Sequence, residues 1–145
     1  MKTSILICIK IVLFVFGVVI FSSCKKNEDT EFLLHNEWKV KSISTENKTM
    51  KAPSKTFREY PYILKFINDS CFALTTSVNF TEWKYQIVSD GNIVIGDYFT
   101  TRACCENNFD EQMINVMNNV TNYYCKGNRL TFSADKNEKI IFEKQ

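Results

Sequence analysis

From about residue 33 onward, apolar and polar residues alternate in short runs, which is the period of half-buried β-strands. Each run ends at residues that favour turns, as at Ser89-Asp90-Gly91-Asn92. Residues 46–56 lack this alternation and are predicted to form a loop. The pattern predicts eight strands, five before residue 101 and three after residue 122, centred near the following apolar residues: Trp38, Tyr62, Phe72, Trp83, Ile93, Tyr123, Leu130 and Ile140.

The period changes between the fifth and sixth predicted strands. Apolar residues there recur at spacings of three and four, which places them on one face of a helix: Phe109, Met113, Val116, Met117 and Val120. Asn108 and Glu111 have the spacing of a capping box. Short strands joined by tight turns favour antiparallel pairing with few exposed edges. The predicted fold is α+β and mainly antiparallel β, a curled sheet or partly closed barrel of about eight strands. One helix lies between the fifth and sixth strands.

The N-terminal segment has the pattern of a secretory signal. Lys2 and Lys10 precede an apolar run over residues 11–21, which is short of the ~20 residues that span a bilayer. Ser22 and Ser23 then lead into Cys24. We predict a lipoprotein signal peptide at residues 1–23, a lipidated Cys24 that begins a polar tether at 24–32, and one domain at 33–145. The alternative is an uncleaved membrane anchor over residues 5–21.

Charge excludes one class of partner. Two of the 18 basic residues lie in the signal peptide, whereas none of the 16 acidic residues does, so the mature chain carries balanced charge. A balanced chain has no net positive field to attract nucleic acid. The signal peptide and the lipidated Cys24 predict a location in the cell envelope, where the lipid rather than surface charge holds the domain at a bacterial membrane. The outer membrane is favoured over the inner, an envelope protein is the expected partner, and the oligomeric state is left open.

The cysteines of the exported domain suggest disulfide bonds. Removal of the signal peptide and lipidation of Cys24 leave four thiols, and an even number in an exported domain favours pairing: Cys71, Cys104, Cys105 and Cys125. A bond between the adjacent pair would be strained. The alternative is four reduced thiols packed as small apolar groups. With no C-x-x-C motif and with His35 as the single histidine, neither a metal site nor a catalytic residue or cofactor is predicted.

Aromatic residues concentrate in the fourth and fifth predicted strands. Trp83, Tyr85 and Tyr98 are the candidates for an exposed surface that binds a protein, a glycan or an apolar ligand. The alternative is that most of these rings pack in the core beneath the helix.

The order of these segments resembles the META domain, the fold of small heat-shock-associated bacterial lipoproteins. The resemblance runs from about Leu34 to Glu143, and Asn79 stands in the place of an asparagine typical of the family. It rests on these segments: Trp38-Lys39-Val40, Tyr85-Gln86-Ile87, Ile93-Val94-Ile95, Thr100-Thr101-Arg102-Ala103-Cys104, Val120, Tyr123-Tyr124, Leu130-Thr131-Phe132 and Ile140-Ile141-Phe142. The resemblance implies a β-rich domain with one helix, often lipid-anchored, and no general catalytic activity.

Two functions follow from these observations. The first is a non-enzymatic envelope lipoprotein of META type that acts as a structural or interaction module. The alternative is a lipocalin-like carrier of a small apolar ligand. The interior of the barrel separates them, because a carrier needs a contiguous apolar cavity whereas a module has an interior filled by side chains.

Overall fold

The computed structural model describes residues 33–54, 61–103 and 107–145, and these form a closed antiparallel β-barrel. Eight strands pair in sequence order around the barrel, and pairing of β1 with β9 closes it. A short ninth strand, β2, extends the edge of β1 beyond its pairing with β3. The strands are β1 Glu37–Ser44, β2 Thr49–Lys51, β3 Ile63–Asn68, β4 Cys71–Thr75, β5 Phe80–Ser89, β6 Asn92–Thr100, β7 Val120–Lys126, β8 Arg129–Ala134 and β9 Lys139–Lys144.

The helix α1, Asn108–Met117, lies between β6 and β7. Its predicted place between the fifth and sixth strands was therefore wrong by one strand. The difference comes from β2, which lies in the segment predicted as a loop. Its three residues are too few to show an alternating pattern, and only Met50 among them is partly buried. The sheet is also more complete than the curled or partly closed form predicted, since its first and last strands meet.

Aromatic side chains fill the interior of the barrel. Phe72 on β4 stacks on Trp83 with ring centroids 5.6 Å apart, and it also reaches Phe132 on β8, 6.1 Å away. Phe132 in turn meets Phe142 on β9 edge-to-face at 5.2 Å. These rings are fully buried, and aromatic pairs at such separations contribute both apolar burial and favourable ring geometry. Aromatic contacts therefore connect β4 and β5 with β8 and β9 across the barrel interior.

Helix α1 packs against one end of this core. Its buried apolar residues are those of the predicted stripe, namely Phe109, Met113, Val116 and Met117. We refer to this end of the barrel as the helix end, and to the other, where the β3–β4, β5–β6 and β7–β8 turns lie, as the turn end. Within the three described ranges, none of the helical segments meets the length and hydropathy that a bilayer-spanning helix requires.

The barrel has its shortest ladder between β6 and β7. The ladder between β6 and β7 has a single pair, Asn92 with Asn122, close to the turn end. Beyond it β6 continues to Thr100 alongside β5, while β7 starts on the other side of the helix. At the helix end β6 and β7 are therefore not laddered to each other, and Tyr98 and Thr100 of β6 lie across a cavity from α1.

Candidate functional site

The structure places two of the three predicted surface aromatics in the core. Trp83 is fully buried and its Nε1 donates to Asn118 Oδ1 at 3.2 Å, while Tyr85 is buried and its hydroxyl donates to the Asn68 carbonyl oxygen at 2.9 Å. Tyr98, by contrast, is 47% exposed. Trp83 and Tyr98 lie side by side, with ring centroids 5.6 Å apart. Because Trp83 and Tyr85 are buried, the prediction of an exposed surface made of all three rings was wrong.

A cavity of about 440 Å³ lies where Tyr98 reaches the surface, and we call it the β6–α1 notch. One wall is the end of β6 with Tyr98 and Thr100, and the other is the outer face of α1 with Glu111, Ile114 and Asn115. The cavity opens to solvent and its lining mixes hydroxyl, amide, charged and apolar groups. Such a lining suits an amphipathic ligand better than a purely apolar one.

The top of the notch is held by Asn79. This residue is buried, and its Oδ1 accepts from the Ala103 N–H at 2.7 Å and from Thr101 Oγ1 at 3.0 Å. Its Nδ2 donates to the Ala103 carbonyl oxygen at 3.3 Å. One side chain therefore satisfies both backbone groups of Ala103 and fixes the path of the chain as it leaves β6, with Arg102 at the rim.

The helix wall is positioned by a buried carboxylate. Asn107 is the N-cap, and its side chain accepts from the Asp110 N–H at 3.0 Å while Asp110 Oδ2 accepts from the Asn107 N–H at 3.3 Å. The predicted capping pair, Asn108 with Glu111, was therefore wrong by one residue. Asp110 also accepts from the Ser77 N–H and hydroxyl, which ties the start of α1 to the loop between β4 and β5.

Tyr62 packs beside this cap. It is buried, its ring meets Phe109 edge-to-face at 5.0 Å, and its hydroxyl accepts from Asn107 Nδ2 at 3.1 Å. Burial raises the pKa of Tyr62 to about 12, and the nearby Asp110 acts in the same direction. Burial likewise raises the pKa of Tyr85 to about 12, helped by the charge of Asp69. Both phenols are held neutral more strongly in the folded protein than in the unfolded chain.

This difference predicts a loss of stability in alkali. Tyr62 and Tyr85 ionise near pH 10.0 in the unfolded chain and near pH 12 in the folded protein. Their contribution is therefore complete below pH 10 and is lost as the pH rises from 10 towards 12, by ~1–2 kcal/mol for each once solvent screening is allowed for. Urea unfolding followed by tryptophan fluorescence at pH 9, 10 and 11 measures the loss. The variants Tyr62→Phe and Tyr85→Phe should each reduce the fall in the free energy of unfolding between pH 9 and pH 11. An unchanged pH dependence in both variants would contradict the raised pKa values of these two tyrosines.

The apolar side chains on the outside of β6 extend the site. Phe99 is 69% exposed and Val94 is 55% exposed, and together with Tyr98 they form what we call the β6 patch. Phe99 was not selected from the sequence, because its parity is opposite to that of Tyr98 and strand parity alone does not show which face is inside. The notch wall on α1 was also not predicted, since nothing in the sequence places a helix face beside β6.

The cysteines do not form the predicted bonds at the positions described. Cys71 and Cys125 are half-buried and reduced, and both lie at the turn end of the barrel. Cys104, Cys105 and the lipidation site Cys24 lie outside the described residues.

This arrangement predicts a simple result in thiol mapping. Cys71 and Cys125 should both be alkylated by iodoacetamide after denaturation without any reductant, because neither is in a disulfide. Mass spectrometry of the digested, exported protein reads each site separately, and a parallel sample reduced before alkylation is the control. A bridged peptide containing either residue would contradict the structure.

No metal centre is evident in the part of the chain that the structure describes, where no three His, Cys, Asp or Glu side chains are grouped to hold an ion. His35 lies on the surface just before β1, far in sequence from any cysteine. The chemistry of the notch is therefore that of hydrogen bonding, charge and apolar contact.

Comparison with solved structures supports the fold. A protein from Burkholderia xenovorans, solved by NMR, superimposes with a TM-score of 0.62 at 15% sequence identity, over 80% of this chain and 86% of that chain. A DUF4847 family protein from Bacteroides vulgatus gives a TM-score of 0.57 at 16% identity, over 79% of this chain and 96% of that chain. At such identities the likeness concerns the fold alone.

Comparison with sequence families is more specific. No curated protein is significantly similar to this sequence. The META domain, however, matches residues 31–145, which is most of the chain and includes every described strand together with α1. The resemblance found in the sequence is thereby confirmed, and the chain belongs to the META domain family.

Proposed function

We propose that this chain is a non-enzymatic lipoprotein of the bacterial envelope whose META domain acts as an interaction module. In this proposal Cys24 carries the lipid, residues 24–32 form the tether, and the folded domain presents the β6 patch to a partner protein. The single observation that carries the proposal is the exposed aromatic and apolar surface on β6, beside a notch of mixed chemistry.

The filled interior supports this function over the carrier. A closed eight-stranded barrel is compatible with both, since lipocalin-type carriers use the same strand number. In this barrel, however, Phe72 contacts Trp83 on one side and Phe132 across the core, where a carrier would hold its ligand. Binding by this domain is therefore proposed to take place on its outer surface.

The position of the exposed rings supports a protein partner. Exposed aromatic and apolar side chains are enriched where proteins meet, and single scattered ones are common on any surface. β6 alone carries three such side chains, with Tyr98 and Phe99 adjacent in sequence and Val94 five residues before Phe99.

Site-specific photocrosslinking in the envelope tests this function. The full-length protein, with benzoylphenylalanine in place of Phe99, is expected to form a defined adduct with one envelope protein on irradiation. Tyr124 supplies the matched control, since it is an equally exposed aromatic residue, 62% accessible, on β7. The proposal fails if Phe99 gives no adduct, or if both positions give the same set of adducts.

Processing at Cys24 is tested separately. The mature protein is expected to incorporate labelled palmitate and to fractionate with membranes, whereas Cys24→Ala should do neither. A mature N-terminus at another residue, or unlabelled wild-type protein, would contradict lipidation. If the Phe99 adduct forms only in the lipidated protein, the anchor and the β6 patch act together.

A further inference from the structure

The outer edge of β6 carries backbone groups that no described residue pairs with. β6 is laddered to β5 along most of its length, but on its other side only Asn92 pairs, with Asn122 on β7. Two residues near the end of that edge, Tyr98 and Thr100, line the β6–α1 notch. An exposed strand edge of this kind is a template for another strand.

The hydrogen-bond pattern shows which groups point outward. The Thr101 N–H donates to the Phe80 carbonyl oxygen at 3.0 Å, and the register continues with Thr100 opposite Thr81 and Phe99 opposite Glu82. In an antiparallel ladder, hydrogen-bonded and non-hydrogen-bonded pairs alternate along the strand. The backbone groups of Phe99 therefore face β5, and those of Tyr98 and Thr100 face the notch.

The outward-facing backbone groups determine what kind of molecule can pair with this edge of β6. Tyr98 and Thr100 together offer two N–H donors and two carbonyl acceptors, separated by the ~6.6 Å repeat of two strand residues. An extended polypeptide backbone complements such a row, whereas a sugar or an apolar ligand does not. The side chains of the same two residues line the notch, so an added strand would also place a side chain against Tyr98 and Ile114.

Charge sets the character of that strand. Glu111 on α1 is the carboxylate that lines the notch, and Arg102 is the cation at its upper rim. Glu111 is exposed and forms no ion pair among the described residues. A carboxylate on the α1 wall favours a segment in which a basic residue neighbours the apolar one.

We infer that the β6–α1 notch binds an extended segment of a partner polypeptide, which adds a strand to the edge of β6 and carries an apolar side chain next to a basic residue. This inference rests on the proposed function and specifies the partner's chemistry. Strand addition of this type takes affinity from main-chain hydrogen bonds and specificity from pockets for alternate side chains. A notch of about 440 Å³, bounded by the helix, suits a short stretch of one strand rather than a second barrel.

A peptide of stated design tests the inference. The probe is a capped octapeptide in which valine occupies every second position and lysine and threonine alternate between the valines. Amide hydrogen exchange of the full-length protein in detergent is followed by NMR. In the free protein the amides of Tyr98 and Thr100 should exchange rapidly and that of Phe99 slowly, and on saturation with peptide the first two should become at least tenfold slower.

Two control peptides separate backbone pairing from side-chain binding. N-methylation of alternate peptide amides removes the donors on one edge and should abolish binding, whereas replacing lysine by glutamate should weaken it. On the protein, E111Q should raise Kd by ~3-fold, a modest change typical of an exposed charge. D69N removes a carboxylate at the turn end and should leave Kd unchanged.

Several outcomes would overturn the inference. Slow exchange at Tyr98 and Thr100 in the free protein would mean that the edge is already paired. Equal binding of the N-methylated peptide would show that the backbone edge is not used. A concentration-dependent dimer in sedimentation that protects the same two amides would identify a second copy as the occupant. If no peptide binds but Phe99 still crosslinks to an envelope protein, strand addition is wrong and the interaction function stands; if both experiments fail, both proposals fall.

Discussion

Replacing Trp83 with alanine is expected to lower the free energy of unfolding by ~3–5 kcal/mol, the range for truncating a large buried aromatic residue. Trp83 is fully buried, stacks on Phe72 and donates its Nε1–H to Asn118. The substitution therefore opens a cavity between the sheet and α1 and leaves a helix-end acceptor without its donor. Urea denaturation of the wild type and the variant, monitored by far-ultraviolet circular dichroism, measures the change.

Tyr98→Ala is the matched comparison, because Tyr98 lies beside Trp83 but is half exposed. This substitution should lower the free energy of unfolding by less than ~1.5 kcal/mol, since much of the Tyr98 ring is already in contact with water. The pair of variants distinguishes a core residue from a binding residue on the same face. Equal losses of stability in the two, or a stable Trp83→Ala protein, would contradict the placement of Trp83.

Asp110→Ala is expected to destabilise the fold by ~2–4 kcal/mol, because it removes an acceptor used by several buried donors. The Ser77 N–H, the Ser77 hydroxyl and the Asn107 N–H all donate to this carboxylate. Their loss frees the start of α1 from the β4–β5 loop and removes half of the capping box. The notch should open as a consequence, since α1 forms one of its walls.

Glu111→Ala is the control for this prediction. Glu111 follows Asp110 directly, is also acidic and lies in the same helical turn, but it is exposed. Its replacement should change the free energy of unfolding by less than ~0.5 kcal/mol, the usual range for surface positions. Thermal unfolding of both variants is sufficient to compare them, and a larger effect from Glu111 than from Asp110 would show that the cap is not the stabilising feature.

The sequence predicted the strands and the helix because each has a periodic apolar face. The helix stripe at Phe109, Met113, Val116 and Met117 is buried as expected, and the turn at Asp90-Gly91 joins β5 to β6 with Gly91 at φ +79°. That backbone conformation favours glycine, so the Asp-Gly pair predicts a turn from the sequence alone. Such local patterns predict the structure well because the residues of each pattern are the ones that make the contacts of that element.

Features that depend on distant residues could not be predicted in this way. The closure of the barrel depends on β1 meeting β9, and no local pattern at Trp38 indicates that Lys144 will lie opposite. The same holds for β2, whose three residues form a strand only because β1 offers an edge. The capping box was shifted by one residue because Asn107 and Asn108 are both good caps, and Ser77 decides between them from another element.

The site was the least predictable part. Aromatic clustering correctly drew attention to β5 and β6, but parity cannot tell inside from outside until the barrel is closed. Trp83 and Tyr85 were therefore included in the candidate surface, while Phe99 was left out of it and the α1 side of the notch was not predicted. The disulfide prediction depended on the even number of thiols, and that number does not show where Cys71 and Cys125 lie in the barrel or that they are reduced.

The closing pair of strands has a consequence for biogenesis. β9 completes the core by bringing Ile140 and Phe142 between β1 and β8, so the nascent barrel has two open edges until this last strand emerges. Pairings between strands so far apart in the chain form late, because loop closure is costly in entropy. For the exported lipoprotein proposed above, we expect this delay to keep the domain competent for translocation until β9 has emerged. We expect the domain to become resistant to proteases only after β9 has paired.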